Sequence, residues 1–138
     1  MRVVILVIVF FITACTAKAP SLSLYERLGG EEGVDDIVYQ LIVNISRDER
    51  VVDRFKGVDI EKFRTGLVHY ICSVSNGGCI YTGDSMQVVH AGHNYTDTEF
   101  NAIVENLIHA MDHQRVPTAV QNKLLAQLAK DYGDVVYQ

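Results

Sequence analysis

The spacing of apolar residues is the feature that most constrains the fold of this chain. Apolar residues recur three and four positions apart through stretches at about 32–46, 59–74, 96–111 and 118–132. An α-helix has 3.6 residues per turn, so this spacing places them on one face of each helix. No segment alternates strictly between apolar and polar residues over the length of a strand. The sequence therefore predicts an all-α fold.

Capping residues and glycines mark where these helices begin and end. Ser23-Leu-Tyr-Glu26 and Thr96-Asp-Thr-Glu99 both have the capping-box pattern that opens a helix. Gly29-Gly30 and Asn76-Gly77-Gly78 are typical of helix ends and turns. A further short helix is expected from Met86 to Ala91.

The N-terminus differs from the rest of the chain. Arg2 precedes an unbroken apolar run from Val3 to Ile12, about half the length of roughly 20 residues that spans a bilayer as a helix. This pattern predicts a secretory signal peptide, which takes no part in the fold. The sequence Ile12-Thr13-Ala14-Cys15 resembles a bacterial lipobox, whose cysteine is acylated and becomes the first mature residue. Cleavage near Ala19 without acylation is the alternative.

These boundaries divide the chain into a lipoprotein signal peptide (1–14), a small polar tether (15–23) and a single domain (24–136). We expect the domain to lie in the periplasm of a bacterial cell envelope, attached to a membrane through the lipid on Cys15 alone. The formal net charge of -5 argues against a nucleic-acid partner, because such partners require basic residues that displace phosphate counterions.

Export changes the interpretation of the other two cysteines, Cys72 and Cys79. Outside the cytosol, two thiols at this separation favour a disulfide, worth about 2–3 kcal/mol in the chain-entropy model. A metal-binding pair is the alternative, but no second Cys/His pair with zinc-finger spacing accompanies it. The Cys-x-x-Cys-His motif of covalent haem attachment is also missing from the sequence. We therefore predict a structural disulfide.

The histidines are the candidate metal ligands. The chain has five, which are His69, His90, His93, His109 and His113. His109 and His113 are spaced to share a helix face, but they lack the intervening glutamate of a His-Glu-x-x-His zinc motif. A solvated helix face is the better interpretation of that pair.

His90 is the strongest candidate because of the residues around it. It follows Met86 by one helical turn, and large apolar side chains are plentiful nearby in the sequence, namely Phe55, Phe63, Leu67, Phe100 and Ile103. One neutral imidazole in a wide apolar slot suits an iron porphyrin, which needs an axial nitrogen and buries a large flat area. Packing of these side chains on one another is the alternative.

Three strings of the sequence resemble signatures of group 1 truncated haemoglobins. They are Leu24-Tyr-Glu-Arg-Leu-Gly-Gly30, Tyr81-Thr-Gly83 and Met86-Gln-Val-Val-His-Ala-Gly92, and they occur in the family's order. The resemblance extends over about 22–136. It implies a two-on-two helical sandwich around haem b (iron protoporphyrin IX).

The resemblance also implies roles for individual residues. His90 falls on the proximal position that binds iron through Nε2, with its Nδ1 hydrogen directed to a carbonyl near Met86. Phe55 matches the phenylalanine that wedges against the porphyrin, and Tyr81 and His93 match residues beside the propionates. The full expected cofactor-binding set is Ile42, Phe55, Phe63, Leu67, Ile71, Tyr81, Met86, Val89, His93, Tyr95, Phe100 and Ile103.

The chain departs from the family on the distal side. Ile42 stands where the family usually has a tyrosine and Leu67 where it often has a glutamine, with Ile71 one turn further along. The expected pocket is therefore apolar, unless Tyr39 or Tyr70 enters it. A hydrogen bond to a polarised bound ligand is worth about 1–3 kcal/mol, so we expect weak retention of oxygen on a five-coordinate ferrous haem.

The resemblance implies reversible binding of oxygen, nitric oxide or carbon monoxide, for oxygen transport or nitric oxide scavenging in the envelope. Nitric oxide dioxygenation would require retained oxygen and an electron donor not identified by the sequence, so we leave enzymatic activity open. Two alternatives remain. One is a haem redox or gas-sensing partner of a membrane protein, and the other is a haem-free structural helical lipoprotein.

Overall fold

The computed structural model describes residues 21–138, so the signal peptide, Cys15 and Ala19 lie outside the described residues. The described part is helical apart from loops and an isolated β-bridge between Tyr95 and Val136. The α-helices are α1 (Leu24–Arg27), α2 (Gly30–Ile45), α3 (Ile60–Val74), α4 (Met86–His90), α5 (Asp97–His113), α6 (Thr118–Leu128) and α7 (Tyr132–Val135). Short 3₁₀ helices occupy Val52–Phe55 and Ala129–Asp131. The expected all-α class is confirmed.

The predicted caps form where the sequence placed them. Glu26 N–H donates to Ser23 Oγ and Ser23 N–H donates to the Glu26 carboxylate, which completes the capping box of α1. Thr96 and Glu99 make the same reciprocal pair at the start of α5. Each box satisfies two backbone N–H groups that have no partner within the helix.

The junction between α1 and α2 depends on glycine. Gly29 has φ +101°, a left-handed conformation that residues with a Cβ atom rarely adopt. A Cβ atom on Gly29 would also lie 2.9 Å from the Cα atom of Gly33, so the two backbones could not approach as they do. This turn lets α2 begin at Gly30, two residues before the position that the apolar spacing indicates.

The core forms where α2 packs against α3 and α5. Its members are apolar side chains that are almost completely buried, and they come from these helices, α6 and the connecting loops. The most enclosed include Val34, Ile37, Val38, Ile71, Met111, Val120 and Leu124. The apolar stripes predicted from the sequence thus supply the interior, as expected for amphipathic helices.

The C-terminal helix is shorter than the sequence predicts. We expected one helix from Thr118 to about Tyr132, but α6 ends at Leu128 and a 3₁₀ turn leads into α7. The Tyr70 hydroxyl donates to Asp131 in that turn, and the Tyr132 hydroxyl donates to Asp97 on α5. These contacts bring α7 against α4, so the chain end braces the short helix that carries His90.

The last turn of α3 is close to the loop that follows it. The structure brings the Cys72 and Cys79 sulfur atoms to bonding distance, with Cα atoms 5.7 Å apart, within the range of about 4.4–6.8 Å usual for disulfides. A Cβ atom on Gly77 would lie 2.6 Å from both Cys72 Sγ and Tyr25 Cγ, so glycine is required there. The geometry accommodates the predicted disulfide, whose formation stays a prediction.

Within residues 21–138, no helix has both the length and the apolar character needed to cross a bilayer.

Truncation of Ile37 tests the core. Its side chain is 1% exposed, whereas Ile80, in the loop after α3, is 84% exposed. We expect Ile37→Ala to lower the free energy of unfolding by about 2–5 kcal/mol, since it removes buried methyl groups and leaves a cavity. Ile80→Ala deletes the same atoms from the surface and should change the free energy of unfolding by less than about 0.5 kcal/mol. Urea unfolding followed by circular dichroism measures both, and equal losses would contradict this assignment of the core.

Candidate functional site

His90 is the last residue of α4, a helix of five residues whose N-cap is Ser85. Its Nδ1 atom lies 2.7 Å from the carbonyl oxygen of Met86, one turn earlier. A carbonyl oxygen only accepts hydrogen bonds, so Nδ1 carries the ring hydrogen in this contact and Nε2 keeps its lone pair. The hydrogen bond expected from the resemblance is therefore present.

The remaining histidines are in a different environment. His69, His93, His109 and His113 are all exposed, whereas His90 is half-buried. His109 and His113 lie on the outer face of α5, which agrees with the solvated interpretation of that pair. Within residues 21–138, no group of three or more His, Cys, Asp or Glu side chains is arranged to hold a metal ion by itself.

Aromatic pairs occur among the residues of the expected cofactor-binding set. Phe55 and Phe63 meet edge to face with ring centroids 5.3 Å apart, which joins the 3₁₀ helix to the first turn of α3. The Tyr95 ring lies edge-on to His90 at 5.8 Å and nearly parallel to His93 at 5.6 Å. These rings offer flat apolar surfaces, which suit contact with a planar ligand.

Two further predicted residues have aromatic partners of their own. Phe100 packs edge-on against Tyr132 at 5.0 Å. Tyr81 packs against Tyr70 at 5.2 Å, and its hydroxyl donates to the Asp84 carbonyl oxygen at 3.1 Å. Tyr81 is thus held within the loop that joins α3 to α4.

The helices on either side of this region stand apart. α3 and α4 follow one another in the chain but make little or no direct contact, and α4 packs on α7 instead. Apolar side chains on α4 remain open, with Val88 61% and Val89 46% exposed. α4 thus presents exposed apolar side chains close in sequence to the half-buried His90 imidazole.

Apolar residues also line the side predicted to be distal. Ile42, Leu67 and Ile103 are half-buried against the core, and Ile71 is completely buried within it. The sequence left open whether Tyr39 or Tyr70 enters this side. The structure shows no hydrogen bond from either hydroxyl to these residues.

Tyr39 and Tyr70 are both engaged elsewhere. Tyr39 is 55% exposed and lies beneath the Arg64 guanidinium, whose Cζ atom is 5.7 Å from the ring centroid. Tyr70 donates its hydroxyl to Asp131, and burial together with this hydrogen bond raises its pKa well above the ordinary value. The Tyr70 hydroxyl is thus occupied by Asp131, and the Tyr39 ring is largely exposed under Arg64.

Sequence reasoning missed the contacts that Arg54 and Glu99 make near His90. Arg54 Nε lies 2.5 Å from Glu99 Oε1, and Nη1 donates to the His93 carbonyl oxygen at 3.1 Å. The Arg54 hydrogen bond, followed by the backbone hydrogen bond of Thr96, lowers the pKa of Glu99 to about 2. The two partners are far apart in sequence, and the only signal was the capping box that contains Glu99.

Fold and site together are those of a globin. Residues 23–135 match the family model for bacterial-like globins, and the chain therefore belongs to that family. The group 1 truncated hemoglobin GlbN of Nostoc sp. is 33% identical over 89 residues, which cover 64% of this chain and 75% of that protein. The group 1 truncated hemoglobin of Tetrahymena pyriformis is 30% identical over 112 residues, covering 79% and 93%.

Solved structures agree with the sequence comparison. The truncated hemoglobin of Tetrahymena pyriformis in its Fe(III) form has a TM-score of 0.82 and 27% identity, covering 85% of this chain and 100% of that one. The 2/2 hemoglobin of a Synechococcus species, solved in the cyanomet state with covalently attached heme, has a TM-score of 0.78 and 27% identity, covering 83% and 98%. The expected group 1 truncated globin fold is confirmed.

The pKa of Glu99 gives a prediction for stability against pH. Its folded-state pKa of about 2 lies below the ordinary 4.5, so the unfolded chain binds the proton more readily. The ionised carboxylate therefore stabilises the fold fully above about pH 5, and this contribution is lost as the pH falls towards 2. We expect the free energy of unfolding to fall less steeply over this interval in Glu99→Gln than in the unmodified protein.

Urea unfolding at a series of pH values measures the two slopes. A residual slope is expected in the variant, because Arg50 also holds the pKa of Asp48 well below its usual range. Identical slopes for both proteins would show that the ion pair of Glu99 does not contribute to stability.

Proposed function

We propose that this chain binds haem b through His90 and takes up a diatomic gas reversibly on it. One observation carries the proposal: the Nδ1 contact with Met86 leaves Nε2 of a half-buried imidazole free to act as a ligand. When bound, the haem iron supplies a vacant coordination position for oxygen, nitric oxide or carbon monoxide. Non-covalent haem b is favoured over covalent attachment because the sequence has no Cys-x-x-Cys-His motif.

Residues of the expected cofactor-binding set suit such a group. The aromatic pair Phe55–Phe63 and the open valines of α4 offer apolar surface that a porphyrin would cover. Covering apolar area contributes roughly 25 cal/mol per Å², so a large flat ring gains most of its binding energy in this way. Tyr81 is half-buried and His93 is exposed. Both could contact the charged propionate edge of the haem.

The expected distal side determines which gas is held well. The Ile42 and Leu67 side chains offer no hydrogen-bond donor, the Tyr70 hydroxyl is bound to Asp131, and Tyr39 is 55% exposed. Oxygen depends strongly on a donor when bound, whereas carbon monoxide and nitric oxide depend on it less. We therefore expect fast oxygen release together with retained affinity for the other two gases.

The N-terminal pattern extends the proposal to location. A signal peptide ending in the lipobox-like Ile12-Thr13-Ala14-Cys15 would export the chain and anchor it by lipid to an envelope membrane. A tethered globin there would carry oxygen or scavenge nitric oxide. Nitric oxide dioxygenation would also need an electron donor, and the sequence has no Gly-x-Gly-x-x-Gly motif of a dinucleotide site.

Removal of the His90 imidazole tests the ligand assignment. The unmodified protein should bind haemin and show a Soret band that shifts in the ferrous form on addition of carbon monoxide. His90→Ala should abolish or strongly weaken haemin binding, because it deletes the axial nitrogen. His109→Ala removes an exposed histidine and serves as the matched control, with no expected change. Absorption titration measures all three, and equal haemin affinities would exclude His90 as the ligand.

A hydroxyl introduced at Ile42 tests the apolar pocket. Ile42→Tyr should slow oxygen dissociation from the haem-loaded protein by about 10- to 100-fold, the range given by a new hydrogen bond of about 1–3 kcal/mol. Ile42→Phe adds a similar ring without the hydroxyl and controls for size. Stopped-flow mixing with carbon monoxide measures the rates. Slow release from the unmodified protein, accelerated by Tyr39→Phe, would contradict an apolar pocket.

A further inference from the structure

The N–H groups of the Arg54 guanidinium are directed mainly towards Glu99 and the His93 carbonyl oxygen. It lies in the 3₁₀ helix before α3, next to Phe55, and reaches the start of α5. Nε and Nη2 contact the two carboxylate oxygens of Glu99 at 2.5 and 3.0 Å, while Nη1 contacts the His93 carbonyl oxygen at 3.1 Å. A two-pronged arginine–carboxylate contact fixes the orientation of the guanidinium plane as well as its position.

Glu99 is itself held firmly. Its Oε2 atom accepts hydrogen bonds from the Thr96 backbone N–H and the Thr96 hydroxyl, both at 2.9 Å. Its side chain is 16% exposed, against 36% for Arg54. The capping box thus fixes the carboxylate to the first turn of α5, and the carboxylate fixes Arg54.

Tyr95 lies between this ion pair and the histidine. The Arg54 Cζ atom is 5.2 Å from the centre of the Tyr95 ring, a distance typical of cation–π contact. The same ring meets His90 edge-on and stacks on His93. Its backbone carbonyl oxygen accepts from Tyr137 N–H at 2.9 Å, which ties it to the chain end.

The helix that carries His90 cannot fix the ring by itself. α4 has five residues, whereas isolated helices shorter than about 12–15 residues are marginal in water. The Nδ1 contact with Met86 constrains the imidazole from its own helix only. Packing of α4 on α7 and neighbouring side chains must therefore set the orientation of the imidazole relative to α3 and α5, and the Tyr95 ring packs edge-on against it.

We propose that Arg54 is a positioning residue for the iron ligand, acting through Tyr95, which it fixes against His90 with the help of Glu99. This inference depends on the proposed haem site. Partners outside the first coordination sphere set the orientation and basicity of a ligating histidine, and their loss costs metal sites about 10- to 100-fold in affinity. Arg54 would therefore affect the strength and uniformity of the iron–histidine bond by way of the Tyr95 ring.

The chain contains a matched control in Arg64. This residue also makes a two-pronged contact with a carboxylate, that of Asp35, with Nε 3.0 Å from Oδ1, and it also covers a tyrosine ring, that of Tyr39. It joins α3 to α2 and none of its contacts involves His90. Arg54→Lys is therefore compared with Arg64→Lys, and Arg54→Ala with Arg64→Ala. Each comparison removes the same kind of interactions from two places in the molecule.

The test uses the full chain loaded with haemin. Two quantities are measured in each variant, namely the iron–histidine stretching band in the resonance Raman spectrum of the ferrous form and the rate of haemin transfer to apomyoglobin. Arg54→Lys and Arg54→Ala should shift or broaden the band and speed haemin transfer by about tenfold. Both Arg64 variants should leave the band and the rate unchanged. Thermal unfolding is followed in parallel, since a merely structural ion pair would lower the melting temperature in either series.

A double-variant cycle assigns the effect to the tyrosine ring. Tyr95→Leu should reproduce the change in the band, and adding Arg54→Lys to it should cause little further change, because coupled residues are not additive. An unchanged band in both Arg54 variants, or equal changes in the Arg54 and Arg64 series, would overturn the proposal. Additive effects of Arg54→Lys and Tyr95→Leu would overturn the route through Tyr95.

Failure of the proposed function gives a different result. An unmodified protein that takes up no haemin would contradict the haem site itself. In that case the same variants are compared through the His90 side-chain NMR signals of the haem-free protein. Line broadening or a shift in the Arg54 series alone would support positioning of His90, and its absence would overturn it.

Discussion

The hydrogen bond between His90 and its own helix is the interaction on which the site depends. With Nδ1 donating to the Met86 carbonyl oxygen at 2.7 Å, the ring is held in the tautomer that leaves Nε2 as a base. α4 is too short to maintain this geometry without support. It rests on α7, and α7 is in turn held by the hydrogen bond from Tyr132 to Asp97. The ligand geometry is thus a property of the tertiary structure.

The two sides of the expected haem site are built differently. On the His90 side, aromatic rings and an arginine–glutamate ion pair restrict the imidazole from several directions. At the positions predicted to be distal, apolar residues merge with the core, and the Tyr70 hydroxyl is bound to Asp131. Under the proposed function, such an arrangement would combine a tightly held iron ligand with a pocket that adds little to gas affinity. It suits binding of a gas that needs no polar stabilisation more than long-term retention of oxygen.

Local rules were sufficient for most of the fold. Apolar spacing located α2, α3, α5 and the first part of α6, and the two capping boxes fixed the starts of α1 and α5. The division of the last helix was missed, because it depends on Tyr70 and Asp131, which are distant in sequence. No pattern of neighbouring residues in the sequence predicts a hydrogen bond of that kind.

The candidate site could be predicted only in part, because some of its contacts also join residues that are distant in sequence. The spacing of Met86 and His90, with the family resemblance, was enough to select one histidine of five and to anticipate its hydrogen bond. The contact of Arg54 with Glu99 joins residues 45 positions apart, so neither residue was a candidate. Ile71 shows a second difficulty. It was expected to line the pocket, but a helical residue can equally face the core, where Ile71 is completely buried.

A crystal structure of the full chain loaded with haemin would show directly whether His90 binds the iron. We expect a porphyrin between α3 and α4, with its iron bonded to Nε2 of His90 at about 2 Å, as is usual for imidazole nitrogen ligands. Ile42 and Leu67 should face the other side of the ring. Iron bonded to a different residue, or α3 and α4 closed on one another with no porphyrin between them, would contradict it.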